Sequence, residues 1–365
     1  MKILVDGMPK EAGGIGTLLI NIVNYNIFVG NGAKYEFEFL LPYGSEYITT
    51  FGEKKIKYYE VPRITQLNYF NEIKKVFDNE NYDYLWINNT SKVNILLPSV
   101  AKKKGVKIIS HSHGVSCEET GLKKIIFKIA EKIFERKYCN MIDIPFACSE
   151  ASADYFYHDE LRKKCIILHN GILVNKFKFN MEYRKKIRSE FNVNINDILL
   201  GAVGRITKVK NFPFLIQIMQ QLPDKFKLFI VGDGEDRTVL VDLIDKNQLG
   251  NRVYLLGVRN DVEKVLSAMD IFVMPSLNEG MPFALIEAQA SGLKCVVSNG
   301  VSKESKIIDE VYYVSLNSID EWLEKIMYSS INERILCARK IEEAGYSIEK
   351  TYETLIEILN KRLEK

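Results

Sequence analysis

Two glutamates eight positions apart, Glu279 and Glu287, follow a short apolar stretch and a turn that contains Gly280 and Pro282. Proline is favoured in the first turn of a helix, so Pro282 predicts that a helix begins there. A helix that begins where a buried strand ends directs its free backbone N–H groups toward an anion. A carboxylate is unfavourable beside an anion unless it has another partner, such as sugar hydroxyls. The spacing predicts an anion site with hydroxyl-binding carboxylates; two solvated glutamates are the alternative.

Two cations, Arg205 and Lys210, follow a predicted strand at 198–203. Across a strand-to-helix turn both side chains can reach one anion, the arginine as a fork and the lysine as a point charge. The chain has no Asp-x-Asp to hold a divalent metal, so this pair is the candidate to neutralise a bound anion. Lys208 competes with Lys210 for this role. Surface cations are the alternative, which the helix dipole disfavours.

Two histidines, His111 and His113, follow the predicted strand at 106–110. If the strand continues, residues two apart face the same way, so both imidazoles reach the site. His113 is preferred to His111, although the sequence does not decide between them, and a packing role is the alternative. A metal site with Cys117 lacks a fourth ligand, and we predict neither a metal nor another cofactor.

A glycine-rich segment, Gly13-Gly14-Ile15-Gly16, precedes an apolar helical run. As a dinucleotide-binding fingerprint it is incomplete, because Leu19 stands in the place of the third glycine and the strand ends about seven residues too early. A dehydrogenase is therefore disfavoured. A loop whose backbone approaches a ligand is one interpretation, and a plain flexible turn is the other.

The elements that must position these residues alternate between short apolar runs and amphipathic stretches of helical length, which is typical of βα units around parallel sheets. One set of strands is predicted at 2–5, 35–41, 55–61, 82–87, 106–110 and 145–148. A second set begins near Cys165 and continues at 198–203, 227–231, 252–256, 271–274, 295–298 and 311–314. Two sets of about six strands predict two doubly wound α/β domains that face a cleft.

The boundary between the domains is predicted at the Asn170-Gly171 turn signal. This gives domains at 1–170 and 171–345. A helix at 346–365 carries apolar residues at helical spacing and needs a partner surface, for which the first domain is the candidate.

Composition excludes several classes of protein. The 365 residues include 50 Lys and Arg against 47 Asp and Glu, a net charge of +3 that gives no support for a nucleic-acid partner. Six irregularly spaced cysteines and the absence of a signal-peptide pattern predict a cytoplasmic protein with reduced thiols. The apolar runs are too short to cross a membrane.

The segment Pro-Ser-x-x-Glu-Gly-x-Pro-x-x-x-x-Glu-Ala, which contains Glu279 and Glu287, resembles the donor signature of the retaining glycosyltransferases of family 4, of the capsule and exopolysaccharide type. The resemblance implies the GT-B fold, with acceptor binding at 1–170 and nucleotide-sugar binding at 171–345. It also implies that Glu279 holds the transferred sugar and Glu287 the ribose, while the backbone of Gly280, Met281, Pro282 and Phe283 contacts the diphosphate.

Further roles follow from the same resemblance. Arg205 and Lys210 match a Gly-Arg-x4-Lys-Asn pattern that binds the diphosphate in place of a metal. His113 lies near the reacting sugar. Other segments contribute to the donor site: Gly14 and Gly16 in a loop over the cleft, Gly232 in a turn beneath the nucleotide, and Arg259 in a segment whose backbone meets the base.

Residues 101–140 carry ten Lys and Arg against four Asp and Glu, and cations flank an apolar stripe from Leu122 to Ile133. This pattern predicts peripheral binding to the anionic inner face of the cell membrane. An ordinary amphipathic helix with its stripe in the core is the alternative.

Together these features predict a retaining, metal-independent glycosyltransferase. The enzyme would move a sugar from a nucleotide-diphosphate sugar, with UDP the commonest choice in the family, to a hydroxyl of a glycan or a lipid-linked acceptor. A sugar-nucleotide epimerase of the same fold and a non-catalytic partner subunit are the alternatives.

Overall fold

The computed structural model describes every residue except 12, 33, 90–93, 115–128, 130–131, 328–333, 335–336 and 362–365. The chain divides into two compact units. Unit 1 consists of Met1–Gly171 together with Ile348–Lys365, and unit 2 consists of Ile172–Ser347. Each unit is a Rossmann-like α/β domain built on a parallel sheet.

The sheet of unit 1 has the strand order β3-β2-β1-β4-β5-β6-β7, and its paired strands are parallel. Its strands are β1 Lys2–Asp6, β2 Glu36–Pro42, β3 Tyr58–Val61, β4 Tyr84–Asn89, β5 Lys107–Ser112, β6 Ile144–Ala147 and β7 Ile166–Ile167. The strand predicted near Cys165 as the first of the second set is β7, and this assignment was wrong. Ile166 pairs with Phe146 of β6, which makes β7 the last strand of the first sheet.

The sheet of unit 2 has the order β10-β9-β8-β11-β12-β13, again with parallel pairs. Its strands are β8 Ile198–Val203, β9 Phe226–Val231, β10 Val253–Gly257, β11 Ile271–Met274, β12 Lys294–Ser298 and β13 Val311–Val314. All six lie within two residues of their predicted positions, because buried parallel strands are short runs of apolar residues that the sequence shows directly.

Helices flank both sheets and bury their apolar faces against them. In unit 1 they are Gly14–Phe28, Tyr47–Glu53, Tyr69–Asn79, Leu96–Lys103, Glu150–Phe156, Asp159–Lys163 and Ile348–Lys361, and residues 132–139 are also helical. In unit 2 they are Met181–Glu190, Pro213–Gln221, Arg237–Lys246, Val262–Ala268, Phe283–Ala290, Ile319–Met327 and Ala338–Glu343. Two short 3₁₀ helices lie at Val174–Phe177 and Lys303–Ser305.

The helix Ile348–Lys361 packs on the helix Gly14–Phe28 within unit 1. Its Tyr352 hydroxyl donates to Asn26 Oδ1 at 2.7 Å, and the Tyr35 hydroxyl donates to Asn360 Oδ1 at 2.8 Å. The predicted stripe is buried at Ile348, Tyr352, Leu355 and Leu359.

The strand order reverses between β1 and β4 in unit 1 and between β8 and β11 in unit 2. In sheets of this kind, ligands bind outside the carboxyl ends of the strands at such a reversal. The loops that follow these four strands are therefore the first places to look for a site.

No helix among the described residues is long and apolar enough to cross a membrane. The central part of the basic amphipathic segment, residues 115–128, lies outside the described residues. Ile129 and Ile133, at the end of its stripe, are exposed.

Candidate functional site

The loops after β8 and β11 of unit 2 contact each other at the reversal of strand order. The Leu277 N–H donates to the Val209 carbonyl at 2.7 Å, and Asn211 Nδ2 donates to the Pro275 carbonyl at 3.2 Å. Asn211 adopts a positive φ of 53°, which asparagine tolerates better than most residues. These bonds hold the predicted cation segment beside the predicted glutamate segment.

Lys210 and Glu279 form an ion pair where these two loops meet. Lys210 Nζ lies 2.5 Å from Glu279 Oε1, and the side chains are only 20% and 16% exposed. The lysine stem lies over Gly204, where an added Cβ would come within 3.1 Å of Lys210 Cε. The structure thus joins two of the predicted site residues, and each neutralises the charge of the other.

The helix Phe283–Ala290 begins directly after this pair, where Pro282 predicted it. Pro282 occupies the N-cap position with extended backbone dihedrals, φ −75° and ψ 118°. The N–H groups of Phe283 and Ala284 have no acceptor inside the helix, because the first turn lacks preceding carbonyls. The buried Met281 side chain fixes the chain before the helix. This helix end can bind an anion.

The loop after β9 lies against the loop after β8 at two glycines. An added Cβ on Gly232 would come within 2.1 Å of the Gly204 carbonyl oxygen, and one on Gly234 within 2.3 Å of the Ile206 carbonyl oxygen. Gly232 also has a φ of +128°, which L side chains rarely adopt. Gly232 is therefore required for the close approach of two backbones.

Arg205 is exposed, and its Nε lies 3.4 Å from Glu235 Oε2. Arg205 and Lys210 thus pair with different carboxylates in this structure, and binding of one anion by both stays a prediction.

Arg259 is engaged by its own neighbours. Its guanidinium bonds to Asp261 at 2.8 Å and to Glu190 at 3.2 Å, and it lies over the ring of Phe191. Contact of the backbone of this segment with a base stays a prediction. The Gly257 carbonyl there accepts a bond from the Gly232 N–H at 2.8 Å.

Glu287 is partly buried on the helix Phe283–Ala290. Burial raises the pKa of its carboxyl to about 7, and the nearby Glu263 carboxylate acts in the same direction, whereas Lys176 opposes the shift. Lys176 Nζ lies 3.4 Å from Glu263 Oε2, so much of its charge is already matched. Glu287 therefore changes its charge near neutral pH.

Gly14 and Gly16 do not form a loop, so this part of the prediction was wrong. The helix begins at Gly14, and both residues lie in its first turn. Gly16 is buried, and an added Cβ there would come within 2.1 Å of the Tyr47 hydroxyl. The glycine makes room for a tyrosine side chain, whereas Gly14 is exposed at the helix start.

His111 and His113 lie on the same side of β5 and its extension, as the alternation of the strand predicts. Their ring centroids are 4.0 Å apart. His111 is fully buried and stacks on Trp86, whereas His113 is partly buried. Desolvation lowers the pKa of both imidazoles, to about 3 for His113.

Sequence reasoning missed two polar residues at the reversal in unit 1, Asp6 at the end of β1 and Asn88 near the end of β4. Burial raises the pKa of the Asp6 carboxyl to about 6, opposed by a bond from the Gly7 N–H. The Asp6-Gly7 turn signal at a strand end was visible in the sequence. Asn88 carried no such signal.

Comparisons with known proteins identify the family of this chain. A family model described as glycosyl transferases group 1 matches residues 183–347. The UDP-Gal:alpha-D-GlcNAc-diphosphoundecaprenol alpha-1,3-galactosyltransferase of Escherichia coli is 30% identical over 269 residues, which cover 69% of this chain and 67% of that protein. The chain belongs to the group 1 glycosyltransferases. The predicted glycosyltransferase is thereby confirmed, while its assignment to family 4 stays a prediction.

Two further comparisons cover nearly the whole chain. The putative glycosyltransferase EpsF of Bacillus subtilis is 25% identical over 99% of this chain and 96% of its own. The crystal structure of Anabaena Alr3699/HepE in complex with UDP-glucose superposes with a TM-score of 0.81 at 19% identity, covering 99% of this chain and 100% of that one. This likeness confirms the predicted GT-B class of fold.

Proposed function

We propose that this group 1 glycosyltransferase transfers a sugar from a nucleotide-diphosphate sugar to a hydroxyl acceptor with retention of configuration and without a metal ion. The observation that carries the proposal is the Lys210–Glu279 pair beside the start of the helix Phe283–Ala290. A cation and free N–H groups match a diphosphate, and a carboxylate matches sugar hydroxyls.

The ion pair also indicates how Lys210 and Glu279 exchange partners when the donor binds. Before binding, Glu279 neutralises Lys210. A diphosphate offers Lys210 a second anion, and sugar hydroxyls offer Glu279 donors in place of the ammonium. Both side chains then stay satisfied, so the exchange leaves no buried charge without a partner.

The protein's contribution to the reaction is electrostatic. Departure of the nucleoside diphosphate builds negative charge, which Lys210, Arg205 and the helix start stabilise. The leaving phosphate takes the proton of the acceptor hydroxyl on the same face of the sugar, so no protein nucleophile is needed.

UDP is the proposed nucleotide. The Escherichia coli relative is named for a UDP-Gal donor, and the Anabaena structure contains UDP-glucose. A lipid-linked acceptor in polysaccharide synthesis is proposed because that relative acts on a diphosphoundecaprenol. The proposal includes peripheral binding of the enzyme to the inner face of the cell membrane through the basic segment at 101–140.

Arg205→Ala is expected to lower kcat by about a hundredfold, because the variant lacks one group that stabilises charge in the transition state. The measurement is UDP release from a panel of UDP-sugars with short glycan acceptors. Arg339→Ala, which removes an exposed arginine of the helix Ala338–Glu343, is the control and keeps full activity. Wild-type turnover by Arg205→Ala contradicts the role of Arg205.

The same assay separates the alternatives. Turnover that is unchanged by EDTA supports metal independence, and loss of turnover that magnesium or manganese restores contradicts it. Conversion of the free nucleotide sugar without an acceptor identifies an epimerase. A protein that consumes no donor with any acceptor is a non-catalytic subunit.

Glu287 provides a pH test. If it accepts ribose hydroxyls, the ionised carboxylate binds UDP better, so affinity is lost as pH falls through about 7. The affinity for UDP, relative to that of Glu287→Gln, is expected to rise about tenfold from pH 6 to pH 8, as the ionised fraction does. Calorimetry at several pH values measures the affinity of both proteins for UDP. Ionisation of UDP itself affects both affinities equally, so it cancels in their ratio. A constant ratio contradicts the ribose role.

A further inference from the structure

Residues 62–68 of unit 1, between β3 and the helix Tyr69–Asn79, form two consecutive turns. The Gln66 N–H donates to the Arg63 carbonyl at 2.9 Å, and the Tyr69 N–H donates to the Gln66 carbonyl at 3.1 Å. Hydrogen bonds between residues three apart bring those residues to the same side of the chain. Arg63, Gln66 and Tyr69 therefore share one side of this segment.

This side of the segment faces the protein. Tyr69 is buried, and its hydroxyl oxygen accepts a bond from Asn94 Nδ2 at 2.8 Å. The Arg63 N–H donates to Gln66 Oε1 at 2.9 Å, which holds the first turn closed. A cavity of about 250 Å³ lies here, lined by Lys10, Pro42, Tyr43, Arg63 and Gln66.

The other side of the segment is an apolar stripe in solvent, formed by Ile64, Leu67 and Phe70. Leu67 is fully exposed, and Ile64 and Phe70 are 39% and 43% exposed. Phe70 is not needed for the packing of its helix. The core face of that helix consists of Tyr69, Ile73, Val76 and Phe77. Exposed apolar side chains normally occur singly, so three that a hydrogen-bonded turn holds in a row indicate a binding surface.

Two cations without a carboxylate partner lie beside the stripe. Residues 61–71 contain Arg63 and no Asp or Glu. Arg63 and Lys10, which both line the cavity, form no ion pair within the described part of the chain. Glu60 and Glu72 lie just outside the segment, and each already has a hydrogen-bond or ion-pair partner. The stripe is therefore suited to a surface that is apolar inside and anionic outside.

We propose that the stripe of Ile64, Leu67 and Phe70 inserts into the interface of an anionic lipid bilayer, while Arg63 and Lys10 contact the headgroups. The proposal rests on the proposed function, which places the enzyme at the inner face of the cell membrane, and it adds a contact outside the basic segment at 101–140. Apolar side chains flanked by cations bind such membranes through burial of apolar area and attraction to anionic lipids.

A second protein chain fits the stripe less well. A stable protein interface buries about 800 Å² on each partner. Even a fully buried aromatic side chain supplies only about 150–250 Å², and Ile64 and Phe70 are already more than half covered. The stripe is too small for a stable dimer interface by itself. Membrane binding has no such threshold, because its strength increases with the apolar area and the charge that are engaged.

Tryptophan fluorescence tests whether the stripe enters the bilayer. The two native tryptophans, Trp86 and Trp322, are fully buried, so a new surface tryptophan is measured as the difference from the wild-type protein. Leu67→Trp is expected to show a blue shift and quenching with vesicles of equal parts brominated phosphatidylcholine and phosphatidylglycerol. Ile195→Trp is the control, since Ile195 is an exposed aliphatic residue in a turn of unit 2, and it is expected to show neither effect.

Co-sedimentation with unbrominated vesicles of the same composition measures the strength of binding. Leu67→Glu is expected to weaken binding by about tenfold, because the variant loses the burial of a leucine side chain. Ile195→Glu makes the same change of charge and is expected to bind like the wild-type protein. Arg63→Gln is expected to weaken binding by about fivefold, the contribution of one cation near an anionic surface.

The possible outcomes distinguish this proposal from the proposed function. If the wild-type protein binds the vesicles but Leu67→Trp is not quenched, or if Leu67→Glu and Ile195→Glu lose equal affinity, this proposal is wrong and the basic segment alone accounts for binding. No binding by the wild-type protein contradicts both membrane contacts. Self-association that Leu67→Glu abolishes, measured by sedimentation velocity, assigns the stripe to a second copy of the chain and overturns the proposal. None of these measurements needs turnover, so they are valid whether or not the protein transfers a sugar.

Discussion

Lys210→Ala is expected to lower kcat/KM by about a thousandfold, the upper end of the effect of removing one electrostatic stabiliser. The expected loss of activity is larger for Lys210→Ala than for Arg205→Ala because the Lys210 side chain is less exposed. Its removal also leaves Glu279 without its cation. The uncompensated carboxylate then repels the diphosphate. Steady-state UDP release and calorimetric binding of UDP measure the two consequences, and both turnover and affinity are expected to fall.

Lys208→Ala is the matched control, since it removes the same charge two residues earlier from an exposed side chain. It is expected to retain turnover within about threefold, as exposed charges contribute little. Equal losses in the two variants would show that only the general charge of the loop matters. A loss confined to Lys208→Ala would assign the role to the competitor.

Gly232→Ala is expected to abolish measurable UDP binding. The added Cβ meets the Gly204 carbonyl oxygen at 2.1 Å, and the φ of +128° is strained for alanine, so the loops after β8 and β9 must separate. Separation moves the segment that carries Lys210. Calorimetry measures binding, and thermal unfolding measures the accompanying loss of stability.

Gly250→Ala is the control for this substitution. Apart from its two chain neighbours, no described residue has a heavy atom within 4 Å of the position of its added Cβ, so stability and UDP binding are expected to stay at the wild-type level. If Gly232→Ala binds UDP normally, the two loops do not need their close contact, and the site geometry described above is wrong.

Most of the fold could be predicted from the sequence because buried strands and amphipathic helices are local patterns. The strands of unit 2 illustrate this, since each is a continuous apolar run between turn residues. The exception was β7, a two-residue strand whose sheet depends on pairing with β6 and not on its own sequence. Pairing of this kind is not encoded within a short run of residues.

The candidate site in unit 2 could be predicted in part for a related reason. Lys210 and Glu279 each belong to a contiguous motif after a strand, and the order of the strands brings the motifs together. Motifs do not specify the directions of side chains. The sequence therefore did not predict the ion pair of Arg205 with Glu235, or those of Arg259 with Asp261 and Glu190.

Unit 1 was predicted less well because its polar residues come singly from separate strands. Asp6 and Asn88 lie 82 positions apart, and only the reversal of strand order makes them neighbours. The glycine at 16 was misinterpreted because its nearest neighbour, Tyr47, lies on a different helix. Close approach to a distant side chain leaves no local pattern.

The helix Ile348–Lys361 belongs to unit 1, although the whole of unit 2 precedes it in the chain. During synthesis on the ribosome, unit 2 is therefore complete before the residues that cover Asn26 and Tyr35 have emerged. Until then this face of the first half of the chain is open to solvent, and the helix Ile348–Lys361 covers it once it has been translated.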